Sequence, residues 1–326
     1  MQLPGFEYLE PRDLNEALDL LGEYGADCAV LAGGTDLIVR MKQRLKRPRR
    51  LMSLKHLDEL DYIREADGCL KIGAATTLDR MINADIVHQK FPGFHEALTA
   101  VGARSIQHFR GTLGGNLCQD TRCVFYNQSA WWRGGNGGCL KVRGDRCHVM
   151  PRSDRCHATY HGDIAPVAMV LGAEAEIAGP SGTRRIPLES LYRHDGRRHL
   201  TLVPGELLTG LRLGWDDRLH SGYEKARVRG AVDFPLAGVA ISLRREDGRL
   251  AGMRLAVTGT NPSPLAVDVS GLEGRPLDDG TADVMVDALG QSVRVVRTTV
   301  MGVAYRRRVL AAMARRLVGA LWRNAV

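Results

Sequence analysis

One stretch, Thr112–Asp163, constrains the fold of this chain more than any other. It holds five of the seven cysteines of the 326-residue sequence, many glycines and arginines, and little hydrophobic periodicity. A long segment without regular structure is uncommon inside a compact domain, and it needs a function or a substitute for the missing apolar core. Bonds between a metal and its ligands are such a substitute. The stretch therefore predicts a metal centre held by cysteines.

The composition is that of a globular protein, with 44% hydrophobic and 25% charged residues. The sequence has neither a signal-peptide pattern nor an apolar run long enough to span a membrane, so we expect a cytoplasmic protein. Without an export signal, clustered cysteines favour metal ligation over disulfides. The net charge is +8, but aromatic residues make up only 6% and the arginines are spread along the chain. This pattern favours anionic cofactors or acidic partners over nucleic acid.

Two glycine turns predict a nucleotide site. The apolar strand 28–31 runs directly into Ala32-Gly33-Gly34-Thr35-Asp36, and a helical pattern begins at Leu37. Such a turn can present backbone N–H groups to a phosphate, although glycine pairs in these turns are more often structural and no GxGxxG fingerprint is present. A second turn, Thr112-Leu113-Gly114-Gly115-Asn116, follows about eighty residues later. Together the turns are consistent with a clamp on one dinucleotide.

Four cysteines of the central stretch are candidate metal ligands, with fifteen, seven and eight residues between them: Cys123, Cys139, Cys147 and Cys156. Four thiolates can bind one zinc ion or the four irons of a cubane cluster. Zinc sites usually contain closely spaced cysteine pairs, and none occurs here. An iron–sulfur cluster is therefore the favoured interpretation, with structural zinc and unligated cysteines as the alternatives.

The residues between these cysteines suit an anionic centre. Basic side chains outnumber Asp145 and Asp154, and they would offset the negative charge of a cluster with four thiolates: Arg122, Arg133, Lys141, Arg143, Arg146, Arg152 and Arg155. The aromatic residues would exclude water from it: Phe125, Tyr126, Trp131 and Trp132. Three histidines are possible further ligands, but lone histidines near a loop are more often hydrogen-bonded surface residues: His148, His157 and His161.

Several segments carry a family resemblance. They are AGGTDL (32–37), TLGGNLC (112–118), HGDIAPVAMVLGA (161–173), PGELLTGLRL (204–213) and YEKARVR…DFPLAGVA. With these segments the sequence resembles, over essentially its whole length, the flavin subunits of molybdenum hydroxylases. In that family GGN-x-C runs almost directly into x-x-D-x-x-P, whereas here residues 121–160 are inserted. Cys118 belongs to the ordinary flavin motif, which leaves four cysteines in the insert.

The insert itself resembles that of the flavin subunits of 4-hydroxybenzoyl-CoA reductases, which carries a [4Fe-4S] cluster. The string CQDTRCVFYNQSAWWRGGNGGCLK, followed by GDRCHV and SDRC, is the most specific part of this resemblance. Some ferredoxin-linked aldehyde oxidoreductases also carry an inserted cluster. The resemblance implies that the four spaced cysteines hold one [4Fe-4S] cluster.

The resemblance also implies the fold and the FAD contacts. We expect an α+β fold with a two-part FAD-binding domain, in which a small α/β unit (1–55) is followed by a larger mixed-sheet subdomain (56–216). A C-terminal flavoprotein domain with an antiparallel sheet and helices would occupy residues 217–326. One FAD would lie on both glycine turns, whose N–H groups would face its pyrophosphate. The implied contacts are Ala32, Gly33, Gly34, Thr35, Asp36, Leu37, Thr112, Gly114, Gly115, Asn116, Asp163, Leu208 and Lys225.

Three of these residues have simpler interpretations. In the family, Asp163 would lie near the adenosine–ribityl end or orient the turn, Leu208 would pack on the flavin ring, and Lys225 would lie near the isoalloxazine. Judged by residue type alone, Asp163 is also a good helix N-cap. Leu208 could equally be a strand core residue, and Lys225 could be an exposed lysine.

The function implied is electron transfer inside a larger molybdenum enzyme. We expect no catalytic residue on this chain, because the sequence lacks a Ser-His-Asp pattern or a recognisable carboxylate pair. The implied partners are a molybdopterin-binding large subunit, a small subunit with two [2Fe-2S] clusters and ferredoxin, in a dimer of heterotrimers. The implied reaction is reductive dehydroxylation of 4-hydroxybenzoyl-CoA. The alternatives are oxidation of an aldehyde or N-heterocycle, and a zinc-stabilised binding protein without a redox role.

Overall fold

The computed structural model describes residues 2–325, which form three β-sheets and ten α-helices. The N-terminal sheet is parallel, with the strand order β1–β3–β2: β1 is Glu7–Leu9, β2 is Cys28–Leu31 and β3 is Arg50–Ser53. Helix α1 (Leu14–Tyr24) joins β1 to β2. It begins where the Asp13 carboxylate accepts a hydrogen bond from the backbone N–H of Glu16 at 2.9 Å. The Glu16 carboxylate in turn accepts hydrogen bonds from the backbone N–H and the side chain of Arg12.

Helix α2 (Leu37–Lys42) follows the first glycine turn and leads to β3. Its residues are apolar apart from Lys42 at its end and Arg40, whose side chain is almost completely buried. A buried arginine in a short apolar helix requires partners from elsewhere in the chain, because an uncompensated buried charge is costly. Those partners come from the inserted segment, as described below.

The second sheet has five strands in the order β4–β5–β8–β6–β7. Their bounds are β4 Ile63–Ala66, β5 Cys69–Gly73, β6 Glu174–Gly179, β7 Gly182–Pro187 and β8 Leu207–Gly214. All four strand pairs are antiparallel, which corrects the mixed sheet expected from the sequence. The reason is that two of these pairs, β4–β5 and β6–β7, are hairpins with two-residue connections. Such short connections can join only antiparallel strands.

Six helices lie between β5 and β6 in the sequence: α3 Leu78–Ile82, α4 Asp85–Lys90, α5 Pro92–Ala100, α6 Leu113–Leu117, α7 Ala130–Gly135 and α8 Ile164–Val170. A π-helical turn, Arg104–His108, precedes α6. The main hydrophobic core forms around three of these helices, with α6 packed on this sheet and α5 and α8 packed on the C-terminal sheet. It includes Phe91, Phe94 and the fully buried Tyr160. The second glycine turn is therefore the first turn of α6, and helix α7 lies within the insert.

The C-terminal sheet has four antiparallel strands in the order β12–β11–β10–β9, which confirms that prediction and the α+β class. Its strands are β9 His220–Ala226, β10 Ala237–Glu246, β11 Arg249–Thr258 and β12 Leu265–Val267. Two helices complete it, α9 (Asp279–Ser292) and α10 (Val303–Asn324). One apolar stripe of α10 is buried against the sheet: Leu310, Met313, Leu317 and Leu321. None of the helices in residues 2–325 has the length and apolar composition needed to cross a membrane.

The two ends of the inserted segment lie side by side, and we call the residue pair that joins them, Arg122 and Thr159, the neck. Arg122 and Thr159 are paired by two backbone hydrogen bonds of 2.8 and 2.7 Å. Next to this pair, the N–H of Val124 donates to the carbonyl oxygen of Thr298 at 2.9 Å. The insert is therefore a loop with adjoining ends, and its neck rests on the C-terminal part of the chain.

Candidate cofactor sites

The first glycine turn has the geometry of a phosphate site. Among the backbone groups that the structure describes, the N–H groups of Gly33, Gly34, Thr35 and Asp36 donate to no other protein atom. Gly34 has a φ of +72°, which favours glycine because it has no side chain. Successive N–H groups at the start of a helix bind phosphate oxygens. This turn, with Ala32 and Leu37 at its ends, therefore fits the pyrophosphate of FAD.

The second glycine turn differs, because its N–H groups have partners inside the protein. Thr112 is the N-cap of α6, and its hydroxyl accepts a hydrogen bond from the N–H of Gly115 at 3.1 Å. The N–H of Gly114 donates to the carbonyl oxygen of Ala74 at 2.8 Å. The expectation that both turns direct their N–H groups at phosphate is thus corrected for the second turn. Gly115 remains exposed, and it offers a surface without a side chain.

The two turns lie against each other. A Cβ atom on Gly33 would lie 1.6 Å from the carbonyl oxygen of Arg110 and 3.0 Å from the Cα of Gly111, just before the second turn. Only glycine permits this approach of two backbones. The sequence pattern predicted that the turns act together, and the structure does bring them together.

Asp163 and Lys225 form a buried ion pair beside the second turn. The Asp163 carboxylate accepts hydrogen bonds from the Tyr223 hydroxyl at 2.7 Å and from Lys225 Nζ at 3.1 Å. Burial raises the pKa of Asp163, and the charge of Lys225 and the Tyr223 hydroxyl oppose that rise. The Asp163 side chain does not cap α8; instead Asn116 Oδ1 accepts a hydrogen bond from the N–H of Ile164 at 3.3 Å. Asp163 therefore fixes the position of β9 relative to this region.

Among the implied FAD contacts, Leu208 lies in the main hydrophobic core. It lies in β8, is 3% exposed and pairs with Ile177 of β6. This is the strand-core position that its residue type alone indicated. Lys225, in contrast, is not an exposed lysine, since its side chain is only 3% exposed and Nζ also donates to the carbonyl oxygen of Ala100 at 2.9 Å.

The four spaced cysteines border one small cavity in the insert. Its walls are Cys123, Cys139, Cys147 and Cys156, with Phe125, Tyr126, Leu140, Lys141, His148, Val149 and Ala158. All four cysteines are buried. Cys28, Cys69 and Cys118 lie elsewhere, in β2, in β5 and directly after α6. The structure therefore separates the cysteines into the two sets that the sequence predicted.

Backbone turns hold these cysteines around the cavity. Cys139 exchanges two backbone hydrogen bonds with Val142, of 3.1 and 2.7 Å. Cys156 is held from outside the insert, because its N–H donates to the Asp195 carboxylate at 3.2 Å and its carbonyl accepts from the N–H of Gly196 at 2.8 Å. The N–H of Cys123 donates to Asn127 Oδ1 at 2.9 Å. The anchor from Asp195 was missed in the sequence, where it lies 39 residues after Cys156.

The histidines and aromatic residues of the insert differ in their position relative to the cysteine cavity. His148 lines the cavity, but its Nε2 contacts the Gly138 carbonyl oxygen at 2.5 Å. His157 and His161 contact Ser153 and Pro235 through hydrogen bonds of 2.8 Å, so neither faces the cysteines as a ligand. Phe125 and Tyr126 do shield the cavity, and Trp132 packs on Phe125. Trp131 does not exclude water, because it is 86% exposed.

A cluster of charged side chains that the sequence analysis missed joins the insert to the first glycine turn. Asp120, directly before the insert, forms ion pairs with Arg40 of α2 and with Lys141, whose Nζ is 2.6 Å from Asp120 Oδ1. A second ion pair joins Arg122 to Asp36 at the end of the turn. Burial opposes the charged form of Asp120, but Lys141 and Arg40 together lower its pKa. We call Arg40, Asp120 and Lys141 the Asp120 cluster. Its only sequence signal was the arginine in the apolar pattern of α2.

Comparison with known proteins identifies the family. Residues 4–215 match the family described as the FAD binding domain in molybdopterin dehydrogenase, and residues 221–321 match the CO dehydrogenase flavoprotein C-terminal domain. The chain belongs to the FAD-binding subunits of the molybdopterin dehydrogenases. FAD is thus its cofactor, and it is a subunit of an oxidoreductase.

Individual members of the family match two thirds of the chain or more. The carbon monoxide dehydrogenase medium chain of Afipia carboxidovorans is 30% identical, over 97% of this chain and 96% of its own. The aldehyde oxidoreductase FAD-binding subunit of Escherichia coli is 33% identical over 68% of this chain and 72% of its own. A carbon monoxide dehydrogenase structure from Hydrogenophaga pseudoflava has the same fold, with a TM-score of 0.83, 23% identity and complete coverage of both chains.

The glycine turns generate the first prediction. Gly33→Val should remove most of the bound FAD, because its Cβ would push the Arg110 backbone and the second turn away. Gly115→Val should also remove FAD, but with little loss of stability, because a Cβ there meets only the Thr112 hydroxyl, at 3.0 Å. Flavin absorption and thermal unfolding measure the two effects. Gly5→Val is the control, since a Cβ at Gly5 meets nothing within 4 Å. Full flavin content in both turn variants would refute the clamp.

The cavity generates the second prediction. The resemblance of the insert implies a cluster held by these cysteines. On that expectation, single Cys→Ala changes at Cys123, Cys139, Cys147 or Cys156 should each remove most of the iron from the anaerobically purified protein, because each would remove one of four ligands. The matched controls are Cys28→Ala, Cys69→Ala and Cys118→Ala, which should retain iron. Elemental analysis measures the iron content of each purified variant. If the two sets of variants lose iron equally, the assignment of ligands is wrong.

Proposed function

We propose that this chain is an electron-transfer subunit that holds FAD at the two glycine turns and a [4Fe-4S] cluster between the four cysteines of its insert. The observation that supports the cluster is the arrangement of these buried cysteines around one cavity. When bound, a cluster exchanges single electrons and a flavin exchanges one or two. The residues of the chain position both groups and shield them from water.

The lining of the cavity suits a cluster held by four thiolates. A structural zinc ion requires four ligands at about 2.0–2.3 Å from one point. In a four-iron cube each thiolate binds a different iron, so the sulfur atoms surround the group at a greater separation. Four buried cysteines that border one shared space are consistent with the second arrangement.

The surface of the insert suits an acidic electron carrier. Arg143, Arg146, Arg152 and Arg155 are exposed, and Trp131 projects into solvent nearby in the same segment. Exposed basic residues raise the rate of encounter with an acidic protein. We propose ferredoxin as this partner. For the larger assembly we propose a molybdopterin-binding large subunit and a small subunit with two [2Fe-2S] clusters, in a dimer of heterotrimers.

The insert generates the third prediction. Replacing residues 123–158 by Asn-Gly should keep the Arg122–Thr159 pair as a two-residue hairpin. This variant should bind FAD normally and lose the reduction of flavin by ferredoxin, which stopped-flow absorption follows. Deleting Tyr160 as well would confuse the result, because this buried residue donates hydrogen bonds to the carbonyl oxygens of Asn116 and Leu117.

Charge reversal refines this test. The triple variant Arg143→Glu, Arg146→Glu, Arg152→Glu should slow ferredoxin-driven reduction about tenfold or more at low salt, and less at high salt. The control is Arg307→Glu, Arg308→Glu on the exposed side of α10. A contrary result would be a folded variant that lacks the cluster but whose flavin is reduced by ferredoxin at the normal rate. The insert would then have a structural role only.

Two reactions are candidates for the complete enzyme. The resemblance of the insert supports reductive dehydroxylation of 4-hydroxybenzoyl-CoA with ferredoxin as the donor. The relatives support the second candidate, oxidation of an aldehyde or N-heterocycle: they include the aldehyde oxidoreductase subunit of Escherichia coli and the nicotinate dehydrogenase FAD-subunit of Eubacterium barkeri. In both cases the substrate binds on the molybdenum subunit.

The fourth prediction separates these reactions. The isolated chain should turn over neither substrate, because the proposal places the substrate on a partner. The reconstituted assembly should consume 4-hydroxybenzoyl-CoA with reduced ferredoxin, or oxidise an aldehyde or N-heterocycle with an electron acceptor. Product analysis under both conditions decides which of the two proposals holds. Turnover by the chain alone would contradict both.

A further inference from the structure

Lys141 differs from the other basic residues of the insert. Its side chain is only 6% exposed, and it forms part of the wall of the cavity that the four cysteines share. Arg143 and Arg146, a few residues further along the same loop, are exposed. An exposed charge is screened by water and salt, whereas a buried charge acts on its neighbours at a low effective dielectric.

The Lys141 ammonium has a fixed position. Nζ donates hydrogen bonds to Asp120 Oδ1 at 2.6 Å and to the carbonyl oxygen of Gly196 at 2.7 Å, and it also contacts the Thr121 hydroxyl. It lies 4.8 Å from the centre of the Tyr126 ring. Asp120 and Thr121 precede the neck in the sequence, and Gly196 follows it. Together these partners hold the ammonium in the protein interior.

The Asp120 cluster carries a net positive charge. Arg40 and Lys141 contribute two cations, and Asp120 contributes one carboxylate. Burial lowers the pKa of Lys141, and the ion pair and hydrogen bond with Asp120 oppose that shift and favour the ammonium form. The nearby His199 stays neutral, because burial lowers its pKa to about 4. One uncompensated positive charge therefore lies in the protein interior, next to a cavity lined by thiols.

We propose that Lys141 sets the redox potential of the group held by the four cysteines, as a buried counter-charge that Asp120 holds in place. This inference rests on the proposed [4Fe-4S] cluster. One-electron reduction makes a cluster with four thiolates more negative, and a fixed neighbouring cation stabilises that reduced form. The potential of a cluster depends on local charge and on its protein surroundings. Lys141 thus raises the potential, and Asp120 partly offsets this effect.

Opposite charge changes at the two residues test this proposal. In the anaerobically purified protein, dithionite supplies the electron, and electron paramagnetic resonance follows the reduced cluster during a redox titration. Lys141→Met should lower the midpoint potential, and Asp120→Asn should raise it. Lys141→Arg should stay near the wild-type value because it keeps the charge. Lys46→Met is the matched control and should cause no shift, since Lys46 is exposed next to Leu45, which packs against the insert.

The outcomes separate this inference from the proposed function. If Lys141→Met and Asp120→Asn retain iron but leave the potential unchanged, or shift it in the same direction, Lys141 has a structural role only and the inference fails. If the Lys141→Met variant does not retain the cluster, the midpoint potential of the cluster in Asp120→Asn decides. A potential higher than that of the wild type supports the inference, and an unchanged potential overturns it. If the wild-type protein contains no iron–sulfur cluster, the proposed function itself fails.

Discussion

Two ion pairs between helix α2 and the base of the insert are the contacts on which the arrangement of both sites depends. Arg40 pairs with Asp120, and Asp36 pairs with Arg122. They place the first glycine turn and the insert in fixed positions relative to each other. Removing one partner of a buried pair typically costs about 3–5 kcal/mol, because it leaves an uncompensated charge. The flavin turn and the insert therefore cannot move independently without a large loss of free energy.

The insert has little apolar core of its own. Its hydrophobic cluster contains four buried residues, two of which are cysteines: Cys123, Tyr126, Cys156 and Ala158. Such a small cluster cannot offset the entropy of ordering a loop of this length. The neck, the Asp195 anchor and the Asp120 cluster add polar contacts at the base, and the four cysteines border the cavity at the centre. The proposed cluster thus has a structural role as well as a redox role.

The sequence predicted the elements that local patterns determine. The strand before the first glycine turn and the helix that begins at Leu37 follow directly from local sequence patterns, and the cysteine spacing selected the four residues that share the cavity. Long-range pairing was not predictable in the same way. The ion pairs of Arg40 and Lys141 with Asp120, and the anchoring of Cys156 by Asp195, join segments that no local pattern connects. The second glycine turn was misjudged because the Gly115 N–H donates to the Thr112 cap and the Gly114 N–H donates to the Ala74 carbonyl oxygen, which only the structure reveals.

The central claim is that the insert of this flavin subunit is organised around a [4Fe-4S] cluster and not around zinc. The most direct measurement is the iron, acid-labile sulfide, zinc and flavin content of the chain purified without oxygen. The account predicts about four iron and about four sulfide per chain, with about one FAD and no stoichiometric zinc. One zinc per chain without iron or sulfide would contradict it, and the insert would then be a structural zinc loop.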